Sequence, residues 1–251
     1  MTIQRVFGFE KHRGPNRNPK QEKESETVIA NKHSIKVVPF RNILRSWGRE
    51  HFRYFPWRQA RNPYKILLAE ILLHRTQATQ VVPVYGLLIE KYPTLKALIS
   101  AKKTELYDIL RPLGLRWRIE FLHRMVKELE AKFEGKIPRD KNSLLSLSGV
   151  SDYIAGAVRC FAWNLPESLI DTNTVRIIGR VFGLKIKDSS RRNAQFKYLS
   201  SALLDSDDSR AFNYAMLDLA NSICTKTKAP DCKQCPIMNW CAYGSAQKKI
   251  M

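Results

Sequence analysis

The chain is predicted to be all-α, with about ten helices and no internal repeat, on three observations. Apolar residues recur at intervals of three and four, and helix-starting and helix-stopping residues punctuate them at helical spacing. No segment sustains the period-two alternation of a half-buried strand. Residues 1–33 mix Lys, Arg, Glu, Asn, Gly and Pro with few large apolar groups. Such a segment buries too little surface to offset its ordering entropy, and a mobile basic tail is expected. Phe40, Ile43, Leu44 and Trp47 then lie at i, i+3, i+4 and i+7, an amphipathic stripe that Gly48 is expected to end. Asn62 and Pro63 make an N-cap and first-turn pair before YKILLAEILLHR, which is apolar on most sides and reads as a buried central helix. Further helices are expected at 79–91, 95–101, 104–111 and 117–134. The last carries Phe121, Leu122, Met125, Val126, Leu129 and Phe133 on one face, with Gly135 as its stop. After Asn142 come a short helix, a turn at 147–152, and helices near 153–162, 172–182, 191–204 and 209–222.

With 251 residues, 44% of them hydrophobic, the chain can bury a core of one or two domains, which excludes full-length disorder, a collagen-like repeat and a disulfide scaffold. No apolar run approaches the roughly 18–20 residues of a membrane span, and the first twenty residues lack the apolar stretch of a signal peptide, so an intracellular protein is expected. Lys and Arg number 43 against 23 Asp and Glu, a net charge of +20. Self-repulsion of that size points to a polyanionic partner, nucleic acid first and an acidic membrane face second. Of five cysteines, Cys160 stands alone, while Cys224, Cys232, Cys235 and Cys241 crowd into residues 224–241. That spacing suits a metal or cluster site: zinc and iron–sulfur both remain open, and the presence of one CxxC knuckle rather than two favours the cluster.

Two carboxylates stand out. Asp171 precedes a predicted helix, where it serves either as an N-cap or as an ionised carboxylate that stabilises a developing cation or orients water. Glu70 sits between LLA and ILL, so it either pairs with a buried Arg or lines a pocket, where a raised pKa suits a hydrogen-bond donor or general acid. The turn Leu147-Ser148-Gly149-Val150-Ser151 between helices can present backbone N–H groups to a phosphate, although such a turn is more often only a connection.

Together, FPWRQARNPYKILLAEILLHRTQ, LSGVSDYIAGAV, IDTNTVRIIGRVFG and the terminal cysteines resemble, in order and spacing, the helix-hairpin-helix DNA glycosylases. This family includes endonuclease III, the adenine-mismatch glycosylases and the thymine–guanine mismatch glycosylases. The resemblance runs from about Phe55 to Tyr243 and implies a two-lobed all-α fold: a six-helix lobe at 59–165 containing the hairpin, and a second lobe from 34–58 plus 166–251 with a C-terminal iron–sulfur loop at 224–241. It further implies Asp171 as the catalytic aspartate, Glu70 as a base-pocket carboxylate, and Tyr153 where bifunctional members have a Schiff-base lysine. A monofunctional enzyme that leaves an abasic site follows from the tyrosine. By the same resemblance His74, Arg75 and Gln77, one to two turns along the Glu70 helix, enter the space left by an extruded base, Gly149 and Ser151 belong to the phosphate-gripping hairpin, and Cys224, Cys232, Cys235 and Cys241 hold a [4Fe–4S] cluster.

Two departures stand against the pattern. Ser148 and Ser151 replace a proline and a glycine of the hairpin, and the first cysteine gap is seven residues rather than six. The implied substrate is double-stranded DNA with thymine or uracil opposite guanine, bound by a monomer in base excision repair, in the cytoplasm or nucleoid of a prokaryote. EILLHRT, the GVSDYIAGAVRCFAW segment, and the absence of an added domain in the ten residues after Cys241 favour this branch over adenine-mismatch glycosylases. A non-catalytic structure-specific DNA-binding protein is the alternative of another class; it would not need Asp171 and Glu70 together.

Overall fold

The computed structural model describes residues 27–31, 33–114, 117–227 and 229–248. Its first element departs from the all-helical expectation. Thr27–Ala30 (β1) and His33–Lys36 (β2) pair antiparallel, with Val28 opposite Ile35 and Asn31 in the left-handed region at φ 49°. Four residues per strand are too few for alternation to stand out in a sequence, yet Val28, Ala30 and Ile35 are buried. The expected tail is therefore strand at its end, and its residues 1–26 lie outside the described residues. Asn31 Nδ2 donates to the carbonyls of Phe182 and Gly183, and His33 Nε2 donates to that of Trp240 (2.6 Å), which ties the hairpin to the far end of the chain.

Helices follow as α1 (Val37–Glu50), α2 (Pro56–Gln59), α3 (Pro63–Leu73), α4 (Ala78–Lys91), α5 (Leu95–Ile99), α6 (Lys103–Leu110), α7 (Trp117–Phe133), α8 (Lys141–Leu145), α9 (Asp152–Trp163), α10 (Thr172–Val181), α11 (Ala194–Leu203), α12 (Ser209–Ser222) and α13 (Ala242–Lys248). Among the α-helices of the described residues, only α2 and α13 are additional to the expected set. Local chemistry sets the ends as predicted at several points. Asn62 Oδ1 accepts from the N–H groups of Tyr64 and Lys65 at the start of α3, and Gly135, at φ 68°, closes α7 with its N–H on the Leu129 carbonyl.

Gly48 does not stop α1, which runs on to Glu50. It marks instead a close approach of α1 to α12: a Cβ at position 48 would stand 2.5 Å from Cβ of Ala215. The glycine is there for packing, a role that its neighbours in sequence do not reveal.

The apolar side chains gather in two cores. One draws on residues between Trp57 and Leu169, with α3 buried along almost its whole length. The other joins Val28 to Trp47 with Val175 to Cys241. Tyr214 crosses the division, because it belongs to α12 by chain but packs into the first core. No helix among the described residues is long and apolar enough to cross a membrane.

The close approach at Gly48 carries a test. Gly48→Ala is expected to destabilise the fold by about 1–3 kcal/mol through overpacking, lowering Tm by several degrees. The double variant with Ala215→Gly should recover most of the loss in a thermal melt, because the two methyl groups compete for one space.

Candidate active site

A cleft of about 1230 Å3 collects Glu70, His74, Arg75, Gln77, Ser151, Tyr153 and Asp171, residues from three separate stretches of the sequence. Gly149 is not part of its lining, and the four cysteines line a different cavity. Arg58, Phe161, Tyr214, Asn173, Arg191, Arg192 and Lys197 also face the cleft and were not singled out by sequence reasoning.

Glu70 comes off the buried helix α3 and is itself 7% exposed. Burial pushes its pKa up to about 7, against the opposing pull of the Arg58 guanidinium and with a further push from the charge of Asp171. Arg58 acts only from a distance, because Asp218 holds it. Arg58 Nη1 donates to Asp218 Oδ1 (2.8 Å) and Oδ2 (2.7 Å), and the Arg53 backbone N–H donates to Oδ2 as well. Of the two readings open for Glu70, the pocket is the one realised. Asp218 lies in AMLDLA and carries the same signal as Glu70, a lone carboxylate in an apolar helix, so the sequence held the means to find it.

Asp171 caps α10 and lines the cleft. As N-cap of α10 its Oδ1 accepts from the Thr174 N–H (2.8 Å), and its Oδ2 accepts from Asn173 Nδ2 (2.7 Å), so the carboxylate faces the cleft in one orientation. Asn173 Oδ1 in turn accepts from Arg176 Nη2 (3.0 Å), whose guanidinium also donates to the carbonyls of Ala220 and Cys224. Tyr153, in the first turn of α9, is half-buried at the cleft wall, and desolvation together with the charges of Glu70 and Asp171 raises its phenol well above the ordinary value. It stays a neutral hydroxyl.

The hairpin turn absorbs both of its departures. Ser148 donates its backbone N–H to Glu128 Oε2 (2.6 Å) and its hydroxyl to Oε1 (2.7 Å), anchoring the turn to α7 through a donor that proline lacks. Ser151 Oγ accepts from the Ile154 N–H and caps α9. Gly149 sits at φ 81°, and a Cβ there would press on Phe121 at 3.0 Å, so both backbone and packing require glycine.

His74, Arg75 and Gln77 were expected further along the Glu70 helix. That helix ends at Leu73, and residues 74–77 form a loop with Arg75 in the left-handed region at φ 62°. Arg118, 1% exposed, holds the loop by donating to the His74 carbonyl (2.6 Å) and Thr76 Oγ1 (2.8 Å). Burial and the charges of Arg75, Arg118 and Arg191 all lower the pKa of His74, whose ring meets Trp117 edge-on.

Cys224, Cys232, Cys235 and Cys241 line a small cavity of about 20 Å3 whose other walls include Ile177, Val181, Leu219 and Ile237. Arg180 Nη1 donates to Cys224 Sγ (3.1 Å). Among the described residues no three His, Cys, Asp or Glu side chains close on a single ion position. The four thiols share one largely apolar space, a donor set that fits a metal or cluster site.

Comparison with known proteins agrees with this architecture. The profile of the HhH-GPD superfamily of base excision DNA repair proteins matches residues 68–200. A thymine-DNA glycosylase of Aeropyrum pernix is 40% identical over 214 residues, 83% of this chain and 95% of that protein. A thymine/uracil-DNA glycosylase of Pyrobaculum aerophilum is 37% identical over 222 residues, 86% of this chain and 96% of that protein. The solved structure of a thermostable thymine-DNA glycosylase superposes with a TM-score of 0.78 at 30% identity, covering 83% of this chain and 96% of that one. The chain belongs to the HhH-GPD superfamily of base excision DNA repair proteins.

The raised pKa of Glu70 has a consequence for stability. Between the ordinary carboxyl range and about 7, the unfolded chain releases a proton that the folded chain keeps, so stability falls as pH rises through that window. Glu70→Gln removes this loss. The stability of the variant relative to wild type should improve from pH 5 to pH 8 by roughly 2–3 kcal/mol in denaturant titrations, and a difference independent of pH would contradict the assignment.

Proposed function

We propose that the chain is a monofunctional DNA glycosylase that releases thymine or uracil opposite guanine and leaves an abasic site. The observation that carries this reading is the meeting of Asp171, Glu70 and Tyr153 in one cleft, with no amine at position 153. The two similar archaeal proteins named as thymine and thymine/uracil glycosylases support the choice of base. The two cores are read as lobes near 59–165 and 34–58 plus 166–251 that embrace double-stranded DNA. One chain supplies the whole cleft, so the enzyme acts as a monomer.

In this mechanism the target nucleotide is extruded into the cleft, at a cost of a few kcal/mol that is lowest at a mismatch. The C1′–N1 bond breaks with both electrons leaving on the base. Asp171, held by Thr174 and Asn173, faces the oxocarbenium character that develops on the sugar and orients a water whose oxygen adds to C1′. The water's proton returns through solvent to the departing base. Tyr153 packs beside the sugar and cannot form an imine. The hairpin at Gly149 and Ser151 grips phosphate, and His74, Arg75 and Gln77 occupy the space that the base vacates. Cys224, Cys232, Cys235 and Cys241 would hold a [4Fe–4S] cluster, which supplies a covalent cross-link of the 224–241 loop and no step of the hydrolysis.

The test is a base-release assay on duplexes with T·G, U·G and A·G pairs, with and without alkali. Thymine and uracil should be released opposite guanine, and strands should break only after alkali. Adenine release from A·G pairs with T·G and U·G untouched would reassign the substrate. Asp171→Asn should bind duplex DNA normally and lose turnover by about 100-fold or more, since the amide keeps the size but not the charge. Metal analysis of the purified protein should find about four irons per chain, with visible absorbance; one equivalent of zinc without colour would refute the cluster.

A further inference from the structure

We propose that Tyr214 is a further catalytic residue, whose phenolic O–H donates a hydrogen bond to a carbonyl oxygen of the extruded pyrimidine and holds the charge left on the base as the glycosidic bond breaks. The proposal rests on the pyrimidine-glycosylase reading.

Tyr214 is held on every side. Its ring, 4% exposed, stacks on Phe161 with centroids 4.2 Å apart and 10° between planes, and meets the edge of Phe52 at 5.7 Å. The Arg58 guanidinium lies over its other side at 4.6 Å, itself fixed by Asp218. A side chain so constrained presents its hydroxyl in one direction. That hydroxyl is buried and has no hydrogen-bond partner, and of the buried partnerless polar atoms among the described residues it is the one whose residue lines the cleft. The others belong to Arg118, Ser209 and Arg210, none of which faces that space. Buried phenols nearly always find a partner, because leaving one unmet forfeits the full desolvation cost of the group. A ligand that enters the cleft is the natural partner.

The chemistry of the base supplies an acceptor for that hydroxyl. A pyrimidine presents two carbonyl oxygens flanking N3–H, and as it leaves, the electron pair of the C1′–N1 bond spreads over those oxygens. A fixed donor to one of them strengthens as charge accumulates, so it favours the transition state over the bound substrate. Burial and the neighbouring Glu70 raise the phenol's pKa, which keeps it a donor at any working pH, whereas Glu70 changes state near neutrality. Adenine has no carbonyl group, and the same hydroxyl offers it no comparable help. Tyr214 would therefore contribute to base choice as well as to rate.

Tyr214→Phe removes only the oxygen and keeps the stack on Phe161. Single-turnover release would be followed with enzyme in excess on duplexes carrying 5-fluorouracil, uracil or thymine opposite guanine. The variant should slow thymine and uracil by about 100-fold but 5-fluorouracil by distinctly less, because the more acidic leaving group depends less on the donor. The ratio of 5-fluorouracil to thymine rates does not depend on the fraction of folded enzyme, so it reads the hydroxyl even if the variant is less stable. Binding to an undamaged duplex should stay within a few-fold of wild type. An unchanged ratio in Tyr214→Phe, with or without a general loss of rate, overturns this proposal alone. Wild-type enzyme that releases none of the three bases overturns the substrate reading, and this proposal with it.

Discussion

Two carboxylates, Glu70 and Asp218, compete for one buried guanidinium, and Asp218 holds it. The rest of the cleft depends on that outcome. A buried ion pair of this kind is weak evidence for net stability, since desolvating both charges offsets most of the attraction. Its value here is positional. Arg58 comes from the short helix α2 and Asp218 from α12, so the pair clamps the chain entering the first core to a helix of the second. With its Nη1 committed to Asp218 and the Arg53 carbonyl, Arg58 tempers Glu70 as a charge through space, and Glu70 keeps a pKa of about 7. The same guanidinium fixes the ring of Tyr214.

Helix α10 makes the second connection. Its first residues present Asp171 and Asn173 to the cleft, while Arg176 and Arg180, one and two turns on, grip the carbonyl and thiol of Cys224. One rigid element thus reaches from the carboxylate to the cysteine cavity through an unbroken series of hydrogen bonds. The β1–β2 hairpin braces the same region through Asn31 and His33.

Where the chain departs from the usual hairpin pattern, the surrounding structure compensates. Glu128 on α7 takes both donors of Ser148, and Ser151 replaces a glycine's conformational freedom with a helix cap. The left-handed Arg75 is a comparable case. A non-glycine residue there is strained, and Arg118 holds the loop on either side of it. Backbone strain at a cleft wall, fixed by a buried cation, belongs to a loop whose shape matters more than its stability.

Much of the fold was legible in the chain because helices are local: the spacing of apolar residues, the caps at Asn62 and Asp171 and the stop at Gly135 act over a single turn. The carboxylates Glu70 and Asp171 were legible for a related reason, since a charge in an apolar run or before a helix is anomalous in its immediate context. Gly48 was misread, because its role is contact with Ala215 across more than 160 residues. The four-residue strands escaped notice because their pairing, not their pattern, makes them strands. The hold of Arg118 on the loop after α3 and the packing of Tyr214 into the other core are contacts between segments far apart in the chain. Sequence alone determined which residues were candidates for the chemistry and which segments would be helical. Only the tertiary structure decided which carboxylate took Arg58, and so which one was left to titrate, because that choice rests on distances between segments far apart in the chain.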